Sequence, residues 1–434
     1  MKNRLLVPTV LMMLGAIVLS ATAVTAAEKP QEDLTAMIKA LTERLEAQDK
    51  KISNLEGKLT DEAMHAARTE EIAKIMTDMR ADASARSALP QWMDNLKFFG
   101  DLRLRYEHRS SDGIQLRERN RYRIRLRFGF IKSWLDDQFK VGFRLATGDT
   151  SGPRSTNQTM TGGFTQKNIW LDQAYAIYSP KAIPGLTLIG GKIPNILEHT
   201  DLTFDADLNP EGFAIAYHRE LCGIDVFANF AHIVVNESAA AHDTILNVYQ
   251  AGFRAPLPCG MKSTVAITWW DFENYEDLGL AAVDPANSWN RDMKILNLLA
   301  KVQFQACGLP WQVYVDWVHN CREGDTTASY KNSDDGYALG VKVGKNKKKG
   351  DWSAGYQFKY IEMNSTPAIL NDADFSTDGP LLGATTNVKG HVFKVKYNLT
   401  DFLAAGGNVF LVKPIVGDPD ENNFIMQFDL IWSF

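Results

Sequence analysis

Beyond its N-terminus the sequence has no apolar run of the about 20 residues that a membrane helix needs. That excludes a helical membrane protein but leaves a membrane barrel open, because half of every barrel strand is polar. Cysteine is scarce. The four in 434 residues, Cys222, Cys259, Cys307 and Cys321, show no metal-ligand spacing. His199, His218, His232 and His242 show no convergent ligand pattern either. Basic charge is not in excess, and a net charge of -5 offers nucleic acid no bulk attraction. The stretch Gly148, Asp149, Thr150, Ser151, Gly152 is loop chemistry rather than a phosphate cradle, since no helix follows it. Asp205, Asp207 and Asn209 resemble a fragment of a calcium loop whose spacing then stops. The lysines at 345–349 read as a solvated turn. These absences lead to the expectation of no cofactor, no metal, no nucleic-acid partner and no enzymatic activity.

What is present is alternation. Arg121, Arg123, Arg125 and Arg127 share one parity, and Tyr122, Ile124, Leu126 and Phe128 share the other. A strand sends successive side chains to opposite faces, so this stretch wants arginine on one side and apolar groups on the other. Four arginines are not buried in a dry core without partners. A barrel wall with water inside and lipid outside satisfies both faces; a soluble edge strand with a solvated basic face is the plainer alternative.

The chain before this stretch has a different character. Residues 1–26 read as a secretory signal: Lys2 and Arg4 precede an apolar centre, and Val24, Thr25 and Ala26 offer small residues for cleavage. In 27–85, Leu34, Ile38, Leu41, Leu45, Gln48, Ile52, Leu55 and Leu59 recur at alternating four- and three-residue steps. That is a heptad seam, expected to form an oligomerising coiled coil whose order its mixed a positions leave open. Residues 86–95 form a linker with Pro90 as its stop signal.

From 96 to 434 the alternation continues as about sixteen strands, the even number of bacterial outer-membrane barrels. The expected spans are 96–108, 119–133, 138–148, 168–179, 186–192, 210–218, 223–234, 244–255, 262–273, 292–305, 311–321, 336–345, 351–363, 388–399, 402–412 and 423–434. Their connections alternate short and long, which fits an up-and-down membrane barrel with periplasmic turns and outer loops. The fold expected is therefore all-β, an antiparallel up-and-down transmembrane β-barrel preceded by an α-helical coiled coil in the periplasm. The last strand places Phe424, Met426, Phe428, Leu430, Trp432 and the terminal Phe434 on one face. Phe434 and Trp432 look like the C-terminal signal read by the outer-membrane assembly machinery. Cys222, Cys259 and Cys307 fall in short turns at one end, where a disulfide between turns stays open.

By parity, Arg103, Arg105, Arg121, Arg123, Arg125, Arg127 and Arg144 line the lumen as a basic wall, with Asp101, Glu107 and Glu118 as candidate partners. The third long connection carries Glu198, Asp201, Asp205 and Asp207, and Glu211 follows. If this acidic loop folds inward it forms a constriction facing the arginines, and such charge sets ion selectivity.

Several stretches resemble a known family, the putative porins of Gram-negative outer membranes. They are Phe99-Gly100-Asp101-Leu102-Arg103; Gly142-Phe143-Arg144-Leu145-Ala146-Thr147-Gly148; Ser155-Thr156-Asn157-Gln158-Thr159; Gly162-Gly163-Phe164; Lys167-Asn168-Ile169-Trp170-Leu171-Asp172-Gln173-Ala174-Tyr175; Gly190-Gly191-Lys192-Ile193-Pro194-Asn195; and Asp207-Leu208-Asn209-Pro210-Glu211-Gly212. The resemblance is strongest over 96–218. It implies an outer-membrane barrel, trimeric among its homo-oligomers, through which small hydrophilic solutes and ions diffuse passively. Two other functions remain as alternatives: a structural protein tying outer-membrane lipid to the cell wall through the coiled coil, and a barrel enzyme. The enzyme would need a rim nucleophile, for which His108 and Ser110 lack a supporting motif.

Overall fold

The computed structural model describes residues 93–111, 118–148, 154–278, 293–321, 333–377, 385–417 and 422–434. The expected signal (1–26), the coiled-coil segment (27–85) and most of the linker (86–95) lie outside the described residues. Seventeen strands follow one another: β1 (Leu96–Ser111), β2 (Arg119–Trp134), β3 (Phe139–Thr147), β4 (Gln158–Thr159), β5 (Ile169–Tyr178) and β6 (Leu186–Lys192). Next come β7 (Glu211–Leu221), β8 (Ile224–Asn236), β9 (Thr244–Pro256), β10 (Lys262–Glu273), β11 (Lys294–Ala306) and β12 (Leu309–Asn320). The last are β13 (Asp335–Gly344), β14 (Trp352–Ile361), β15 (Val388–Asn398), β16 (Leu403–Pro414) and β17 (Asn423–Ser433). Among the described residues no helix is long and apolar enough to cross a membrane.

Sixteen of these strands pair antiparallel with their sequence neighbours, and β1 pairs with β17 from Asp101↔Ser433 to Ser111↔Asn423, which closes the barrel. Closure removes every sheet edge, the one arrangement in which strands satisfy their backbone groups in lipid. The exception is β4, inside what the sequence presents as one long loop. It pairs with β2 at Arg123↔Thr159 and Ile124↔Gln158, covering the stretch of β2 that the nine-residue β3 is too short to reach.

The short connections are tight for stated reasons. Leu221 pairs with Ile224 and Ala306 with Leu309, leaving two-residue turns at Cys222-Gly223 and Cys307-Gly308. Both residues of each turn have positive φ, 51° and 80° in the first and 53° and 74° in the second. Those are type I′ turns, whose twist matches the paired strands. All four cysteines are free and exposed.

Outward positions follow the expected parity. Tyr122, Leu126 and Phe128 are exposed, as are Phe213, Ile267 and Val395 elsewhere in the wall. Inward positions do not follow it everywhere. On β11, Ile295 and Leu299 are buried inside while Leu298 is exposed outside, so both faces are apolar. The interior toward the long-loop end holds an apolar core that joins wall residues such as Trp270, Phe272 and Val318 to loop residues Leu202, Phe204, Leu370 and Phe375.

The terminal residue completes the closure. Gly100 N–H donates to the Phe434 carbonyl at 2.9 Å, and Phe434 N–H donates to the Gly100 carbonyl at 3.1 Å. A Cβ on Gly100 would meet the Arg127 carbonyl at 2.5 Å and the Phe434 ring at 2.6 Å. We expect Gly100→Val to destabilise the barrel by about 1–3 kcal/mol, the usual cost of overpacking. The check is the urea midpoint of the refolded barrel, followed by its heat-dependent gel shift.

Candidate functional site

The arginine wall arises from register. β1 and β2 place Asp101 opposite Arg127, Arg103 opposite Arg125, Arg105 opposite Arg123 and Glu107 opposite Arg121. Like charges directly across a sheet repel. The acids at the two ends relieve that repulsion. Asp101 accepts from Arg125 at 2.7 and 2.9 Å and from Arg127 at 2.7 Å. Glu107, fully buried, accepts from Arg121 and, at 3.2 Å, from Arg123. Arg105 grips Asp429 of β17 through two hydrogen bonds of 2.7 and 2.9 Å. Arg144 pairs with Asp172 of β5. Of the expected partners, Glu118 is exposed at the start of β2. The wall is thus mostly ion-paired rather than an open row of positive charge. Arg103 stands apart: it donates to the Asn157 side-chain oxygen at 2.6 Å.

The connection 193–209 lies inside the barrel. Its base closes where Ile193 N–H donates to the Pro210 carbonyl at 2.7 Å. From there it reaches the strands across from the arginines. Glu198 accepts from Arg254 of β9 at 2.6 Å and Lys301 of β11 at 3.0 Å. Burial works against ionisation of Glu198, but these two cations hold its carboxyl below the usual range. Thr200 donates to Asp316 of β12 at 2.5 Å. Asp201 accepts from Gln357 of β14 at 2.8 Å and Lys394 of β15 at 2.9 Å. Burial again opposes its charge, and Lys394 and Lys359 outweigh it and hold the carboxyl well down. Leu202 and Phe204 are buried in the core, with Phe204 stacked on Trp270 at 6.3 Å.

Two parts of the sequence expectation need correction. The acidic loop does not face the arginine wall as a block. Only Asp207 approaches it, 3.8 Å from Arg127, because Glu198 and Asp201 are drawn to cations on β9, β11 and β15. Glu211 is not in the loop: it opens β7 on the parity of the exposed Phe213 and Ile215, and pairs with Lys192 at 2.8 Å.

A second inserted segment was not anticipated. The connection after β14, described over 362–377 and 385–387, also packs inside. Asp205 N–H donates to the Leu370 carbonyl at 2.7 Å, and Ala373 N–H donates to the Asp205 carboxylate at 3.2 Å, so the two loops clasp each other. Arg154 donates to the Ala368 carbonyl at 2.7 Å. Asp374 accepts from Gln427 at 2.9 Å and lies 3.5 Å from Arg105. Burial opposes the charge of Asp374, yet Arg105 and Gln427 hold its carboxyl at about 2. Phe375 is buried under the Lys359 ammonium at 4.2 Å. The available signal was Ile369, Leu370 and Phe375, apolar residues in a long polar connection. Beyond the loops, toward the short-turn end, a polar cavity of about 600 Å³ remains, lined by Arg103, Arg105, Asp201, Lys394 and Lys396 among others.

The described strands form a closed sixteen-strand barrel with two of its long connections packed inside it. Residues 114–294 match the family model described as a putative porin, the family the sequence resembles. Among solved structures, Pseudomonas putida OprB in its high-pH form is similar with a TM-score of 0.51 at 12% identity, over 78% of this chain and 94% of that one. A mutant of the Rh. blastica porin is similar with a TM-score of 0.42 at 11% identity, over 78% of this chain and 100% of that one. No curated protein sequence matches.

The clasp between the loops responds to pH. Burial pushes the Asp205 carboxyl up to about 8, and Asp372 and Asp207 add to the rise. A carboxyl with a folded value above its unfolded one is proton-stabilised. The clasp is therefore strongest below the unfolded value near 3.8, and weakens as pH rises toward about 8. We expect current noise from loop movement to grow from pH 4 to pH 8, and Asp205→Asn to remove that dependence. Single-channel recording across this range checks it.

Proposed function

We propose that this protein is an outer-membrane porin, a passive diffusion channel for small hydrophilic solutes and ions. The single observation that carries the reading is a closed barrel holding two clasped loops at one end of its lumen and a polar, charged cavity at the other. Loop insertion narrows a barrel without plugging it by a separate domain, and charge at the narrowing selects ions. Arg103, Arg105, Arg121, Arg123, Arg125, Arg127 and Arg144 are assigned to the pore wall, and Glu198, Asp201, Asp205 and Asp207 to the constriction. Asp372 and Asp374 join them from the second loop.

The short turns are assigned to the periplasm and the long connections to the outside, which puts the coiled coil of 27–85 in the periplasm. The resemblance to porins supports a homo-oligomer, a trimer in this reading, set in outer-membrane lipid, with Trp432 and Phe434 as the signal for the assembly machinery. Contact of the coiled coil with the cell wall is compatible with a channel. A rim enzyme finds little support: His108 lies on the outward parity of β1, bonded to Asn120 at 2.9 Å and set against the Phe424 ring at 6.1 Å.

Planar-bilayer conductance with a reversal potential in a salt gradient tests the proposal. Stepwise openings are expected, in groups of three for a trimer. Replacing Arg121, Arg123 and Arg125 with Gln leaves Asp101 and Glu107 short of their cations. The permeability ratio should then move several-fold toward cations, in the sense set by the uncompensated carboxylates. An unchanged reversal potential would take these arginines out of the permeation path.

A further inference from the structure

One cation of the wall has no ion-pair partner among the described residues. Arg103 is 9% exposed and its Nε–H has no hydrogen-bond acceptor. Its guanidinium donates to Asn157 through one Nη, a neutral partner. The carboxylates in its vicinity, Asp429 and Asp207, are engaged by Arg105 and Arg127. A buried charge in that state is costly unless something in the adjoining space compensates it.

The adjoining space is the 600 Å³ cavity, and it is positive. Arg103 and Arg105 enter it from β1, and Lys342, Lys394 and Lys396 from β13 and β15, against two carboxylates, Asp201 and Asp429. Arg105 is neutralised by Asp429, and Lys394 by Asp201 at 2.9 Å. Arg103, Lys342 and Lys396 are left as three cations without an ion-pair partner among the described residues. They reach the cavity from three strands along one arc of the wall, β1, β13 and β15, so a molecule in it meets positive charge from each of them. Side-chain amides of Gln312 and Asn408 add neutral hydrogen-bonding groups.

We propose that this cavity is a binding subsite for a small oxyanion, a phosphate or a carboxylate, with Arg103 as the residue that holds it. Guanidinium N–H groups match two oxygens of one planar or tetrahedral oxyanion, which a spherical halide cannot use in the same way. Lys342 and Lys396, which line the same cavity, draw the anion in and share its charge. The subsite rests on the channel reading for its role, since it lies on the route between the clasped loops and the short-turn end. It gives the proposed pore a preferred class of solute.

The test uses the full-length protein in planar bilayers with chloride as the current carrier. Inorganic phosphate and succinate are the probes, added at constant ionic strength. Millimolar probe is expected to reduce chloride current. Arg103→Gln should raise the half-blocking concentration about tenfold, as loss of a charged hydrogen bond does. Arg103→Lys, which keeps the charge and loses the planar fork, should raise it less. Lys181→Gln, on an exposed turn, should leave it unchanged. Block by phosphate alone, or by succinate alone, supports the subsite and identifies its oxyanion. Open channels that neither probe blocks, or equal block in the wild type and both Arg103 variants, overturn the subsite and leave the channel standing. If the folded barrel does not conduct, the channel reading falls. Calorimetric titration of the probes into detergent-solubilised barrel then decides the subsite: saturable binding weakened in Arg103→Lys upholds it, and no binding overturns it.

Discussion

Lipid offers a backbone no hydrogen-bond partner, and that constraint governs the rest of this structure. It is met by pairing the first strand with the last, where β1 runs antiparallel to β17 and Gly100 exchanges two hydrogen bonds with Phe434. An even number of strands, both barrel ends of the chain at the short-turn side, and long connections collected at the other side all follow from closing an up-and-down meander on itself. Period-two alternation is the same constraint read along a single strand. The side that faces lipid must be apolar, and the other is free to carry Asp101, Arg103, Arg105 and Glu107.

Closure also creates an interior that something has to fill. This protein fills the long-loop end with its own chain. Two connections meet there, Leu202 and Phe204 from one and Leu370 and Phe375 from the other, on an apolar lining that includes Trp270 and Val318. Charge is handled by pairing rather than by exposure to water. Most acids described above have a cation from a different strand or loop: Glu107 with Arg121 and Arg123, Asp429 with Arg105, Glu198 with Arg254 and Lys301, Asp201 with Lys394; Asp316 is held instead by Thr200 and Asn297, and Asp205 by backbone N–H groups. A field inside the lumen therefore comes from the few groups left over and from how pairs are oriented, not from one wall against one loop.

The strands were legible because the information that makes them is local. The expected spans 186–192 and 262–273 coincide with β6 and β10, and others differ by a few residues at the ends, as for β1, which continues to Ser111. The pairing of Asp101 and Glu107 with the arginines was also within reach, since it follows from two adjacent strands. The partner of Arg105 was not: Asp429 is 324 residues away in sequence and meets it only through closure. Loop paths are decided by such distant contacts, so alternation says nothing about which carboxylate of 193–209 goes to which wall. One local signal did exist. The sequence Ile295-Leu296 and Leu298-Leu299 on β11 is apolar on both parities, as expected of a strand covered on both faces. It marked the part of the wall against which an inserted loop would pack.

The interlocking of loop and wall also fixes an order of events in assembly. Asp201 bonds to Lys394, 193 residues later in the chain, and Glu198 bonds to Lys301, 103 residues later. Neither contact exists until β11 and β15 stand in the wall. The acidic connection made early in synthesis thus has to wait for the late strands. The clasp uses Leu370 and Ala373, which come after Lys301 and before Lys394 in the chain. The narrowing is therefore held by strands made long after the loop itself.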